Sequence, residues 1–232
     1  MENGNQFKIY DFMFPGSQTA KLVKVQCLDD YTYFPFIDIF KRTGIPICSP
    51  VVNLIGAREN NRGKFFAGLT RACFNSDAVI IDNGIFSGCE KQAQRKGLKL
   101  IGIAPENDIQ FPKVNQNQFN QNELSKGHTQ FFLLTDCQWS QEVLFKLLLA
   151  LKIAQGNLNK NPNHQKIVNI LLGDSDQYIE EVRLAVEFDQ VVLIVPGSLI
   201  CNRLIKEANG TIQQRQSQID DEYIDKIMGN NR

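Results

Sequence analysis

Seven short apolar runs, rich in β-branched residues, divide this sequence, and helical patterns separate most of them. The runs are Lys21–Cys27, Pro50–Ile55, Ala78–Asp82, Leu98–Ala104, Phe131–Leu134, Ile167–Leu172 and Val191–Val195. Most are apolar throughout, which is typical of strands covered on both faces of a parallel sheet. The helical patterns are Phe65–Phe74, Gly88–Gly97, Ser140–Gln155, Tyr178–Phe188 and Ile200–Ala208. Strand then helix, repeated, predicts a Rossmann-like, doubly wound α/β fold: a mainly parallel sheet with helices on both faces.

This pattern also places particular segments. We expect Ala78–Ile81, Ile170–Leu172 and Val192–Val195 to be buried neighbours in the sheet. Ser140 is expected to begin the longest helix. Its apolar stripe comprises Val143, Leu144, Leu147, Leu148, Leu151 and Ile153, extended by Phe145 and Leu149. A stripe this broad fits either a helix buried wholly within the chain or one that also serves an interface.

Composition excludes several classes of protein. With 25 basic and 25 acidic residues the formal net charge is zero, so no bulk field favours nucleic acid. Six cysteines without close pairing and only two histidines argue against a metal site. The first residues lack a secretory signal pattern, and Val143–Ile153 is too short to span a bilayer. We therefore expect a soluble intracellular protein without membrane insertion, cytoplasmic by default, with organellar or cytoskeletal assemblies left open.

Candidate ligand-binding residues lie where the predicted strands end. In doubly wound folds ligands bind beyond the carboxyl ends of the strands, and glycine there lets the backbone approach a phosphate. If a nucleotide site is retained, its residues are Gly56, Arg58, Asn83, Gly84, Ser87, Gly88, Gly173, Gly197 and Ser198. Ordinary turns and helix caps explain each of these motifs equally well, so both readings stay open.

Several longer segments resemble one known family. They are FKIYDF…AKLVKVQCLDD…IPICSPVVNLIGARE, FAGLTRACFNSDAVIIDNGIFSGCEKQA…LIGIAP, KGHTQFFLLTD, KIVNILLGDSDQYIEEV and QVVLIVPGSLICNRLIKEA. In this order, from Phe7 to about Ala208, they resemble the SLOG domain at the amino-terminal end of TRPM channels. The resemblance implies a Rossmann-like fold, and some channel members bind ADP-ribose-type nucleotides there. The wider superfamily includes the LOG phosphoribohydrolases, which release bases from nucleotides.

The domain organisation expected from this resemblance is simple. Residues 1–210 would form the SLOG domain, with residues 1–46 as an amino-terminal extension packed on it. Residues 211–232 would form a carboxy-terminal helix or tail, because the chain after residue 210 is polar with apolar residues at loosely helical spacing.

The departures from the family pattern concern its glycines. Gly56-Ala57 replaces a Gly-Gly pair, Asp82-Asn83-Gly84 replaces Thr-Gly-Gly, and Gly197-Ser198-Leu199 replaces Gly-Ser-Gly. In the segment Gly173–Glu180 the LOG glutamate keeps its place as Glu180, but the surrounding glycines are lost and Asp174 and Asp176 appear. Each lost glycine adds bulk and each aspartate repels phosphate, so we interpret the nucleotide site as degraded.

Three functions remain compatible with these residues. The first is a non-catalytic accessory subunit that binds protein partners in a larger assembly and needs no cofactor. The second is a sensor that still binds an ADP-ribose-like nucleotide. The third is a LOG-like hydrolase with Glu180 as its catalytic residue, for which the sequence offers no second acid or base.

Overall fold

The computed structural model of the protein describes residues 6–57, 63–113, 122–155, 166–195, 200, 202–206 and 209–210. The strands are β1 Phe7–Met13, β2 Thr19–Gln26, β3 Val51–Ile55, β4 Val79–Asp82, β5 Leu100–Pro105, β6 Gln130–Thr135, β7 Ile167–Leu171 and β8 Val191–Ile194. The main helices are α1 Phe36–Thr43, α2 Gly63–Asn75, α3 Glu90–Lys96, α4 Val143–Gln155 and α5 Gln177–Glu187. Residues 202–206 are also helical, within the predicted segment Ile200–Ala208.

All eight strands form one sheet, in the order β1-β2-β6-β5-β4-β3-β7-β8. Every neighbouring pair is parallel except β1 with β2. The predicted Rossmann-like α/β class is therefore confirmed, and all seven predicted strands are present.

The prediction that Ala78–Ile81, Ile170–Leu172 and Val192–Val195 are buried neighbours in the sheet is wrong in part. β4 and β7 are both buried, but β3 lies between them. β8 is an edge strand, and its Val191 and Leu193 are 50% and 51% exposed. An edge strand lacks a second neighbouring strand, so β8 has a row of unpaired backbone groups along its outer side in addition to these exposed apolar side chains.

The first 46 residues contribute to the sheet itself. β2 pairs with β6 in the parallel sheet, and β1 extends the edge as an antiparallel hairpin. α1 buries Phe36, Ile39 and Phe40, and the rings of Phe36 and Phe145 lie 5.4 Å apart. The amino-terminal segment therefore completes the core. The predicted boundary at residue 210 stays a prediction, because residues 211–232 lie outside the described part of the chain.

The long helix begins later than its sequence suggests. α4 starts at Val143, because Ser140 has a left-handed backbone with φ of 84° and cannot belong to the helix. Its fully buried face contains Phe145, Leu149 and Ile153, whereas Leu148 is only partly buried. The apolar stripe is thus centred on Phe145 and Leu149, and the chain's own core covers it.

We predict that Leu149→Ala lowers the free energy of unfolding by about 2–5 kcal/mol, because it empties a fully buried site. Leu148→Ala, the matched control on the same helix, should cost less than half as much. Urea unfolding followed by circular dichroism measures both. Equal losses of stability would mean that Leu148 is as deeply buried as Leu149, which would contradict the orientation of α4.

Candidate functional site

The loop between β4 and α3 contains four of the predicted ligand-binding residues. At the end of β4, the buried Asp82 accepts a hydrogen bond of 2.8 Å from the Gly84 N–H. The Glu90 carboxylate accepts hydrogen bonds from the N–H groups of Ser87 and Gly88, the second at 2.9 Å. These three N–H groups are therefore already bound to carboxylates of the chain itself.

A buried histidine pairs with one of these carboxylates, that of Asp82. His128, just before β6, is fully buried, and its Nε2 lies 2.7 Å from Asp82 Oδ1 while its Nδ1 lies 2.8 Å from the Ser125 carbonyl oxygen. Burial alone would lower the pKa of His128, but the charges of Asp82 and Glu90 raise it overall. Burial would raise the pKa of Asp82, but the charge and hydrogen bond of His128 lower it overall. The pair is an ion pair that fixes the loop.

Glu90 is the third charge of this cluster. Burial, followed by repulsion from Asp82, raises the pKa of its carboxyl group, while His128 opposes that shift. Glu90 occupies the position that an anion would take at the loop's N–H groups. The N–H groups of this loop could bind an anion, but the Glu90 side chain of the same chain already occupies them.

The crevice where ligands bind in this fold class lies between β3 and β7. β3 is followed by β4 on one side of this point, and β7 is followed by β8 on the other side. The chain therefore leaves the two strands in opposite directions, which opens a crevice between their carboxyl ends. Gly56 follows β3 and Gly173 follows β7. A Cβ on Gly173 would lie 2.3 Å from Tyr178 Cε2 and 2.7 Å from Gly56 Cα. The two backbones and the Tyr178 ring therefore fill the crevice.

A second buried ion pair lies beneath this crevice. Lys146 of α4 and Glu181 of α5 are almost wholly buried, with Nζ 2.8 Å from Glu181 Oε1. Lys146 also donates to the Leu54 carbonyl at 3.4 Å and to Asn83 Oδ1 at 3.1 Å. Asn53 donates to the same Glu181 oxygen at 3.0 Å. Asn83, a predicted ligand residue, thus serves as an acceptor for an internal lysine.

A shallow, open cleft adjoins this ion pair and has room for about one water-sized group, about 10 Å³. We call it the Glu142 cleft, and it is lined by Asn83, Trp139, Ser140, Glu142, Val143, Gln177, Tyr178 and Glu181. Glu142 is 4% exposed, and its Oε2 atom has no hydrogen-bond partner in the described part of the chain. Burial raises the pKa of Glu142 to about 7, although the nearby Lys146 acts in the opposite direction.

The candidate catalytic residue Glu180 lies away from both the crevice and the cleft. Its side chain is 47% exposed and forms a surface ion pair with Arg183, whose hydrogen bond lowers the pKa of Glu180. The neighbouring Glu181 is the carboxylate that faces the interior. Three further candidates, Arg58, Gly197 and Ser198, lie outside the described residues, and their roles stay predictions.

Sequence reasoning missed five buried charged groups: Glu90, His128, Glu142, Lys146 and Glu181. For Glu181 a signal existed, because the buried residues Tyr178 and Ala185 of α5 fix a helical face that includes it. Within the described ranges, no helix is long and apolar enough to cross a membrane. The same residues contain no cluster of three His, Cys, Asp or Glu side chains that could hold a metal ion.

Comparison with known proteins identifies one family. The family model described as SLOG in TRPM, prokaryote, matches residues 49–228, a range that includes the crevice, the β4–α3 loop and the Glu142 cleft. Among solved structures, the chain is similar to the molybdenum cofactor binding protein from the phototrophic bacterium Rippkaea orientalis. Sequence identity is 14% and the TM-score is 0.47, over 74% of this chain and 98% of that one. No curated protein matches the chain significantly.

The Asp82–His128 ion pair predicts a pH-dependent stability. The raised pKa of His128 makes its contribution complete below the ordinary value of 6.5, and the contribution is lost as pH rises through the folded-state pKa. The lowered pKa of Asp82 makes its contribution complete above 3.8 and lost at lower pH. His128→Gln should therefore destabilise the protein most between pH 3.8 and 6.5, and less as the pH rises further.

Urea unfolding of the wild-type and His128→Gln proteins across this range measures the difference. The series is repeated in a Glu90→Gln background, because Glu90 titrates in the same cluster. A difference that is constant with pH would show that the histidine is neutral in the folded protein.

Proposed function

Because the chain belongs to the family described as SLOG in TRPM, prokaryote, we propose that it is a non-catalytic member whose nucleotide site is closed. We further propose that it acts as an accessory subunit of a larger protein assembly. The first part rests on the occupied strand ends, and the second on an apolar edge strand.

The occupied N–H groups of the β4–α3 loop are the observation that carries the proposal. A pyrophosphate needs several converging N–H donors and clearance for its oxygens. Here the N–H groups of Gly84, Ser87 and Gly88 already donate to Asp82 and Glu90. Breaking these bonds would leave two buried carboxylates facing an anionic ligand, which is costly in free energy.

The β3–β7 crevice supports the same proposal. Tyr178 stacks its ring against the backbones of Gly56 and Gly173, where a phosphate would otherwise approach. The Gly173 N–H donates to the Ile55 carbonyl oxygen at 3.2 Å. Asp176 beside this strand end was expected to repel phosphate, but it forms an ion pair with Arg203 at 3.2 Å and adds no unpaired charge. The close packing of the crevice is therefore the feature that disfavours a nucleotide.

The positions of the glutamates support a non-catalytic role. A LOG-like hydrolase needs a carboxylate beside the nucleotide that can act as an acid or base. Glu180 faces solvent and pairs with Arg183, whereas Glu181 is bound by Lys146 and Asn53. Neither carboxylate is poised at a phosphate-binding loop.

The edge strand β8 supports a role in assembly. Its exposed Val191 and Leu193 lie on one face, and Val186 at the end of α5 is 60% exposed. Exposed edges and apolar side chains are recurrent sites of protein association. A partner that adds to this edge would cover apolar surface without contacting the nucleotide crevice.

We predict that ADP-ribose, cyclic ADP-ribose, AMP and NAD show no binding tighter than about 1 mM by titration calorimetry. Combining Tyr178→Ala with Glu90→Ala should open the crevice and free the N–H groups of Ser87 and Gly88, so binding tighter than about 1 mM should appear. The control is Tyr33→Ala, which makes the same truncation at a side chain 91% exposed.

Other outcomes would redirect the assignment. Micromolar binding by the unmodified protein would contradict the closed site and make the protein a sensor. Base release from a nucleoside monophosphate, lost in Glu180→Gln or Glu181→Gln, would make it an enzyme. Gly84→Val is unsuitable as a test, because Gly84 has φ of 71° and a Cβ there would lie 3.2 Å from Gly102 Cα.

For the assembly, we predict that the native protein elutes in a complex much larger than its 26.3 kDa chain. Leu193→Asp should release it as a monomer with an unchanged melting temperature, because the residue is exposed at the edge of the sheet. Tyr33→Asp, an exposed substitution at a different site, should leave the complex intact. A native monomer would refute the accessory role.

A further inference from the structure

We propose that Cys27 and Cys137 form a redox-active thiol pair, which a hydroperoxide oxidises to a reversible disulfide. This pair goes beyond the proposed function and does not depend on it, since it involves neither the nucleotide crevice nor the β8 edge. Cys27 belongs to the amino-terminal segment, whereas Cys137 belongs to the part of the chain that matches the family model. The disulfide would therefore link these two parts covalently.

The ends of two neighbouring parallel strands bring the cysteines together. The last pair of the β2–β6 ladder is Gln26 with Thr135, and the Cys27 N–H then donates a hydrogen bond of 3.2 Å to the Thr135 carbonyl oxygen. The chain turns at Asp136, which has a left-handed backbone with φ of 54°. Cys137 follows this turn, and its thiol contacts that of Cys27. Neighbouring strands lie about 4.8 Å apart, within the roughly 4.4–6.8 Å between Cα atoms that a disulfide requires.

The surrounding core holds the two thiols in this arrangement. Cys137 and Tyr31 are members of the largest hydrophobic cluster, and Cys27 packs against it. The Tyr31 hydroxyl contacts the Cys27 thiol and accepts a hydrogen bond of 3.0 Å from the Leu28 N–H. A fixed contact of this kind gives one thiol a high effective concentration at the other. The described residues offer no group of three ligands for a metal ion, so the chemistry open to the pair is thiol oxidation.

The two cysteines differ in exposure, and this difference assigns their roles. Cys27 is partly exposed, whereas Cys137 is only 2% exposed. Burial, followed by the contact with Cys27, raises the pKa of the Cys137 thiol, so Cys137 stays protonated at neutral pH. We therefore assign Cys27 as the thiol that reacts with the hydroperoxide and Cys137 as the thiol that resolves the product.

The reaction proceeds in two steps. The Cys27 thiolate attacks one oxygen of hydrogen peroxide, the O–O bond breaks, and the departing hydroxide takes up a proton and leaves as water. The Cys137 sulfur then attacks the sulfur of the Cys27 sulfenic acid, the S–O bond breaks, and the departing hydroxide takes the Cys137 proton to form a second water. Two thiols thus lose two electrons to one peroxide. A small dithiol reverses the reaction by thiol–disulfide exchange.

The disulfide should stabilise the chain, because the loop that it closes spans nearly half of the sequence. Closing a long loop removes conformational entropy from the unfolded chain. The link would also anchor β1, β2 and α1, which precede the matched residues 49–228, to the carboxyl end of β6. The oxidised protein should therefore melt at a higher temperature than the reduced protein.

The test uses the full chain, reduced with a phosphine that is then removed, and treated with one equivalent of hydrogen peroxide. Remaining thiols are blocked with N-ethylmaleimide before tryptic digestion without reduction. Mass spectrometry should find residues 25–41 joined to residues 127–146, each peptide containing one cysteine, with the loss of two hydrogen atoms. Dithiothreitol should separate them. Wild-type protein in which Cys27 is oxidised while Cys137 remains a free thiol would overturn the proposal, as would a pair that peroxide leaves reduced.

Thermal unfolding and three variants complete the test. The cross-linked wild-type protein should melt at least about 4 °C above the reduced protein, and dithiothreitol should reverse the shift. Cys27→Ser and Cys137→Ser should each abolish the cross-link and the shift, whereas Cys48→Ser, at an exposed cysteine, should keep both. Dimedone should trap a sulfenic acid at Cys27 in the Cys137→Ser protein.

The wild-type measurements decide even if Cys137→Ser fails to fold, because they need no variant. A cross-linked protein with an unchanged melting temperature would overturn the stabilising link between the amino-terminal segment and the rest of the chain. Neither result bears on the nucleotide titrations or on the Leu193→Asp experiment, so this proposal and the proposed function fail independently.

Discussion

The ion pair between Asp82 and His128 is the interaction on which the carboxyl edge of this sheet depends. Asp82 ends β4 and His128 precedes β6, with β5 between those two strands. A buried carboxylate without a partner costs about 3–5 kcal/mol, so loss of one member of the pair should strongly destabilise the fold. The pair in turn positions Gly84 and, with Glu90, the loop between β4 and α3.

The two buried ion pairs use positive charges of this edge of the sheet internally. Each of these charges, His128 or Lys146, is already paired with a carboxylate of its own cluster. Glu90 and Glu142 are two further buried acidic groups at this edge. Neither buried cation is therefore left for an anionic ligand.

The central strands were predictable because their apolar runs are continuous, and burial on both faces requires that. β1 was not, since its residues alternate between partly buried and exposed positions, as expected at a sheet edge. α1 was missed because it has only eight residues and follows directly on Pro35. At the candidate site, the sequence did not predict which side of α5 faces the core. Adjacent helical residues point about 100° apart, so Glu180 faces solvent while Glu181 faces the core.

The contact between Gly56 and Gly173 has a consequence for how such sequences diverge. A side chain at either position would collide with the other backbone or with the Tyr178 ring, whatever happens to ligand binding. The packing of the two strand ends therefore requires both glycines, whether or not a phosphate binds beside them. A pair of glycines at these positions is thus evidence of a close backbone crossing and is not by itself evidence of a nucleotide site.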